Sequence, residues 1–164
     1  MNKNSPLRYI LQMISTIFLC MVVFPGCSTT EYTMSLPDDF AIYNMEKKVY
    51  KAVTAGGVKI RVYRVKNDPY GSLDMWFSAI DIHLKAGGYI KKGSEDFKSP
   101  QNFKSRVSEY GYLYNGKDYT YLLALLMHGD FIYIIESGGL QDRLEKHKKD
   151  IISSMKGFTT GNNH

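Results

Sequence analysis

Residues 119–135 read YTYLLALLMHGDFIYII. From 122 to 127, and again from 131 to 135, every position is apolar apart from the Tyr133 hydroxyl. A strand with one wet face alternates apolar and polar residues, whereas a strand covered on both faces does not. Gly129-Asp130 between the two runs is a turn signal, and the link is too short for a parallel crossover. The two runs are therefore expected to pair antiparallel. An antiparallel sheet buried on both faces needs helices on both sides. The expected class is α+β.

Outward from these runs, Asn115-Gly116 is the strongest hairpin signal in the chain, because a type I′ turn needs positive φ at both central residues. It joins a strand over 106–114 to one over 119–127. With 131–135 these make a three-stranded meander. After it, Leu140, Leu144, Ile151 and Met155 lie on one face of a helix, with Ile152 beside them and a charged remainder. Lys156-Gly157-Phe158 supplies a glycine cap with its trailing apolar contact. Before the meander, Leu73, Trp76, Phe77, Ile80 and Leu84 recur at helical spacing behind the N-cap Ser72, and Gly87-Gly88 ends the stripe. Trp76 is expected to anchor the core. Earlier still, 49–53 and 58–65 flank Ala55-Gly56-Gly57 as a hairpin. Residues 89–92 suit a short strand, and the polar stretch 93–102, with Pro100, suits a loop. Residues 27–35 are expected to be a tether, 36–158 the folded domain, and 159–164 a frayed tail.

The order is hairpin, helix, short strand, meander, helix. In this order, in the pair Gly88-Tyr89 after the first helix and in the buried meander before the second, the stretch 36–158 resembles the PsbP-like α/β/α sandwich. The resemblance implies a domain that binds or assembles other proteins. It implies no catalytic residue.

The amino terminus speaks to location. Lys3 and Arg8 precede a mostly apolar run over 9–24, and Pro25-Gly26-Cys27 follows. A basic start, an apolar core of roughly 15 residues and a small residue at the cut describe a secretory signal. Gly26-Cys27 resembles the lipobox of bacterial lipoproteins, although Phe24 stands where Leu is usual and Pro25 where Ala or Ser is usual. The resemblance implies cleavage between Gly26 and Cys27, a 1–26 signal peptide, and acylation of Cys27 as the membrane anchor. Ser28 after the acylated cysteine implies an outer-membrane destination on the periplasmic side. Cys20, in the apolar run, would leave with the signal. Cys27 would then be the sole mature thiol, with no internal disulfide possible.

The net charge is +5 over 164 residues, and Lys3 and Arg8 of the signal supply part of it. So small and scattered a surplus gives no nucleic-acid footprint. No G-x-S-x-G elbow, H-E-x-x-H or phosphate-binding glycine loop is present. His83, His128, His147 and His164 share no ligand spacing, so no metal and no cofactor is expected. What stands out is tyrosine. Tyr110, Tyr112, Tyr114, Tyr119 and Tyr121 cluster on one hairpin, where same-parity residues would form a cross-strand ladder. Tyr is enriched at interfaces. Lys59, Arg61 and Arg64 make a basic strand. These eight residues are the candidate partner contacts of a lipid-anchored, non-catalytic envelope protein. An envelope hydrolase with an unrecognised site is the alternative.

Overall fold

The computed structural model describes residues 32–46 and 49–161. The elements are β1 (Tyr32–Thr33), β2 (Phe40–Glu46), β3 (Val49–Thr54), β4 (Lys59–Lys66), α1 (Leu73–Ala86), β5 (Ile90–Lys98), β6 (Lys104–Tyr114), β7 (Lys117–His128), β8 (Phe131–Leu140), α2 (Gln141–Lys156) and β9 (Thr159–Thr160). Strands β2 to β8 form one antiparallel sheet in the order β2-β3-β4-β8-β7-β6-β5. The fold is α+β, as the meander requires. No helix among the described residues is long and apolar enough to cross a membrane.

Strand β7 carries the core. Residues 122–126 are each no more than 2% exposed. Leu122, Ala124 and Leu126 pack in one apolar cluster with Leu144, Ile151, Met155 and Phe158. Leu123 and Leu125 pack in another with Phe77, bordered by Leu73, Trp76, Ile80 and Leu84. Successive side chains on a strand point to opposite faces. The two parities of β7 thus belong to different apolar clusters, and that is why the run shows no alternation. The β6–β7 turn has the expected backbone, with φ of 49° at Asn115 and 70° at Gly116.

Several boundaries differ from expectation. The polar stretch expected as a loop over 93–102 is mostly strand. Its residues up to Lys98 complete β5, which pairs with β6 along its length. It is an edge strand, exposed at every position except Phe97, so neither face has an apolar pattern to read. Strand β8 runs past Ile135 to Leu140 through Gly138 and Gly139. A Cβ at Gly139 would sit 3.2 Å from Val58, so close approach accounts for the glycine. Leu140 is the N-cap residue of α2, not part of its buried stripe. The expected domain limits of 36 and 158 fall inside a further pairing. Tyr32–Thr33 and Thr159–Thr160 form a two-stranded ribbon, and Gln101 bonds both the N–H and the C=O of Thr160, at 2.8 and 3.0 Å. A pair this short has no periodicity.

Trp76 is only partly buried, and Phe77 is the fully packed aromatic of α1. A loop latch sets the indole. The side-chain oxygen of Asn67 accepts from Trp76 Nε1 at 2.7 Å and from the Gly71 N–H at 3.0 Å. The Asn67 amide donates to the Gly71 carbonyl at 3.1 Å. Its backbone N–H donates to Asp130 in the β7–β8 turn at 2.8 Å. Ser72 caps α1 as expected, accepting from the Met75 N–H at 3.2 Å.

Candidate functional site

The tyrosine ladder forms through the register of β6 and β7. Tyr110 lies opposite Tyr121, Tyr112 opposite Tyr119, and Tyr114 opposite Lys117. Tyr112 stacks on Tyr89 with ring centroids 4.5 Å apart and planes within 14°. Gly88, at φ of 87°, turns the chain out of α1 so that Tyr89 reaches this stack. Tyr114 continues the row at 6.1 Å from Tyr112.

The same register carries the ladder across the sheet. Tyr121 lies opposite Gly138, and Gly138 opposite Lys59. Leu123 lies opposite Glu136, and Glu136 opposite Arg61. Rows that run across strands place Tyr112, Tyr119, Tyr121, Lys51, Lys59 and Arg61 around one cleft of about 670 Å³. Gly138 has no side chain to fill its floor. The sequence offered the tyrosine hairpin and the basic strand as separate surfaces. Two-residue periodicity and strand order join them.

Two of the eight candidates stand apart. Tyr110 is 1% exposed, and its hydroxyl donates to Asp81 of α1 at 2.6 Å, so it works inside the fold. Arg64 has the opposite parity to Arg61; it pairs in register with Tyr133 and lies over the Phe131 ring at 4.5 Å. Conversely, Tyr89, Lys51 and Glu136 line the cleft and were not singled out. A Gly-Tyr pair after a helix was the one available signal. Gly26 and Cys27, with the 1–26 segment, lie outside the described residues.

Glu136 is the electrostatic centre of the cleft wall. It accepts from Tyr121 Oη at 2.9 Å, Tyr63 Oη at 3.2 Å and Arg61 Nε at 2.9 Å. The Arg61 guanidinium also lies 4.3 Å over the Tyr63 ring. Burial, and then the charge of Glu136, pushes the Tyr121 phenol far above its ordinary range. The same two causes raise Tyr63 against the pull of Arg61. Both phenols therefore remain protonated donors. With three donors on its two oxygens, the carboxylate is held in place. The arrangement suits recognition: flat rings, fixed donors and two further cations, Lys51 and Lys59.

His164 lies outside the described residues, and the three described histidines do not converge on the cleft. His128 stacks on Phe103 at 4.5 Å, His147 Nδ1 lies 3.2 Å from Asp39, and His83 is exposed on α1. Among the described residues no group of three His, Cys, Asp or Glu could hold a metal ion.

No family model matches the chain, and no curated protein matches it. Solved structures do. LpqN of Mycobacterium tuberculosis, described as involved in cell envelope biogenesis, is 15% identical with a TM-score of 0.62, over 84% of this chain and 88% of that one. A Pseudomonas aeruginosa protein of unknown function, PA94, is 10% identical with a TM-score of 0.56, over 76% of this chain and 99% of that one. Cyanobacterial PsbP from Synechocystis is 9% identical with a TM-score of 0.55, over 87% of this chain and 99% of that one. At such identities the likeness is one of fold, and this chain has the fold of PsbP-like proteins.

Proposed function

We propose that this protein is a non-catalytic binding or assembly module of the cell envelope. In this reading acylated Cys27 holds it at the membrane, on the periplasmic side and favouring the outer membrane, and the tyrosine-walled cleft engages a protein partner. The observation that carries the reading is the convergence of Tyr112, Tyr114 and Tyr119 with Lys59 and Arg61 on one cleft whose carboxylate, Glu136, already accepts three hydrogen bonds. Aromatic rings beside cations are what interface anchors are made of. A structural neighbour involved in envelope biogenesis is compatible with it. The two apolar clusters on alternate residues of β7 support an α/β/α arrangement, with α1 and α2 on opposite faces. That leaves the part of the sheet beyond α1 open for contact.

The test is a pull-down from membranes with the full chain and with Tyr112→Ala combined with Tyr114→Ala. The double variant should lose the partner while its melting temperature stays near that of the parent, because Tyr114 is more than half exposed and Tyr112 is partly so. Retention of the partner by the double variant would overturn the reading. Capture should also weaken with salt, since exposed charges are screened over about 8 Å at physiological ionic strength. Cys27→Ser should release the chain from the membrane fraction.

A further inference from the structure

A second cavity, of about 420 Å³, lies beside the cleft between α1 and the strands β4 and β8. Its walls are mostly apolar: Trp76, Ile80 and Leu84 from the helix, Val65, Leu125 and Ile134 from the sheet. The cause is uneven cover. Helix α1 packs towards β5 and β6, so on its side of the sheet it leaves Val65 of β4 39% exposed and Ile134 of β8 partly so. The crevice and the cleft meet at Tyr121 and Glu136, which line both. An apolar slot therefore runs up to a mouth that holds Lys51 and Lys59. Among the described residues neither lysine is in an ion pair.

We propose that the two cavities form one site for a single-chain anionic amphiphile, with the alkyl chain in the crevice and the head at Lys51 and Lys59. The proposal rests on reading the cleft as the binding surface. A peptide fits the slot poorly, because its buried backbone N–H and C=O groups would meet almost no partners there. An alkyl chain has none to satisfy. At the junction the Glu136 charge is already offset by Arg61 and two phenol donors, so an anionic head meets the lysines rather than a free carboxylate. The crevice alone, at about 420 Å³, lies within the usual range for small-molecule sites, about 300–1,000 Å³.

Trp76 is the single tryptophan of the chain and lines the crevice, so its fluorescence reports occupancy without a label. The full chain, reconstituted in phosphatidylcholine vesicles, is titrated with 9,10-dibromostearate, whose bromines quench indole only at short range. Saturable quenching is expected. Lys51→Glu with Lys59→Glu should raise the half-saturating concentration at least tenfold, and should leave that of the neutral dibromostearyl alcohol unchanged. Val65→Phe, at a partly exposed wall position, should abolish saturation while the melting temperature holds. Displacement by lysophosphatidylglycerol below the concentration needed for stearate assigns the head to a phospholipid, and the reverse assigns it to a free fatty acid. Displacement by neither, or saturation unaffected by both variants, overturns the site. If the amphiphile site fails while Tyr112→Ala with Tyr114→Ala still loses its partner, the cleft stands as a protein contact alone. If both fail, the cleft is not the binding surface.

Discussion

The two helices differ in how completely they are buried in their apolar clusters. In the cluster that holds Leu122, Ala124 and Leu126, α2 sets Leu144, Ile151 and Met155, with the following Phe158, at 0% exposure. Helix α1, on the other parity, fully buries only Phe77 and leaves Leu73, Trp76, Ile80 and Leu84 half-covered. Both stripes have helical spacing and similar residues. What differs is the surroundings, since α2 lies against the sheet centre and α1 towards the β5 edge. Burial on the sealed side goes into stability. The open side keeps apolar surface partly in contact with water, next to charged and phenolic groups, and there the cavities form.

Core truncation should break this comparison most severely if it is wrong. Ile151→Ala should cost about 2–5 kcal/mol, the usual range for a fully buried aliphatic residue. Ile80→Ala should cost about 1 kcal/mol, because its surroundings are already open. Urea unfolding of both variants gives the ratio; equal costs would mean that the two sides are packed alike.

Next in size is the latch that holds Trp76. Asn67→Ala strands the Gly71 N–H and carbonyl and the indole N–H, so a loss of about 1–3 kcal/mol is expected. Trp76 emission should shift to the red as the indole is released. An unchanged spectrum would show that packing alone orients the ring.

Tyr121→Phe removes one donor from Glu136 and leaves Tyr63 and Arg61. A loss of about 1 kcal/mol is expected, smaller than that of Asn67→Ala because no N–H is left buried. Tyr112→Phe should change the stability by less than about 0.5 kcal/mol. The pair is checked by thermal melts under one buffer.

The smallest effect concerns acid. Burial raises the Asp81 carboxyl, but hydrogen bonds from Lys91 and Tyr110 and the nearby cations outweigh it, and the net shift is downward. A depressed folded pKa adds stability that is present above the unfolded value, near pH 4, and is lost as pH falls through the folded value. Asp81→Asn should therefore flatten the acid limb of the urea midpoint below about pH 4. Identical acid limbs for Asp81→Asn and the parent would remove Asp81 from the account.

The parts that were legible are those whose signal is local. Asn-Gly turn chemistry, the Ser72 cap and the apolar stripes of α1 and α2 were all readable, because backbone sterics and a 3.6-residue period act within a few residues. Strand β5 was not, because an edge strand made of Lys, Ser, Glu and Asp takes its structure from the backbone of β6. The β1–β9 ribbon was not, for the same reason at shorter length. Trp76 was placed deeper than it lies, since spacing shows which face a residue occupies and not how much of that face is covered.

The sequence by itself determined that the runs 122–127 and 131–135 are covered on both faces, complete over 122–126 and partial at Met127, Phe131 and Ile134, that these strands are antiparallel, and that five tyrosines belong to one hairpin. Each follows from residue pattern and from the reach of a short turn. Only the tertiary structure decided that β8 lies between β7 and β4, which carries the tyrosine rows across Gly138 and Glu136 to Lys59 and Arg61. It also removed Tyr110 and Arg64 from that surface, one by burial under α1 and the other by parity. Strand order brings together residues more than seventy positions apart, and no local period in the chain encodes which strand will lie beside which.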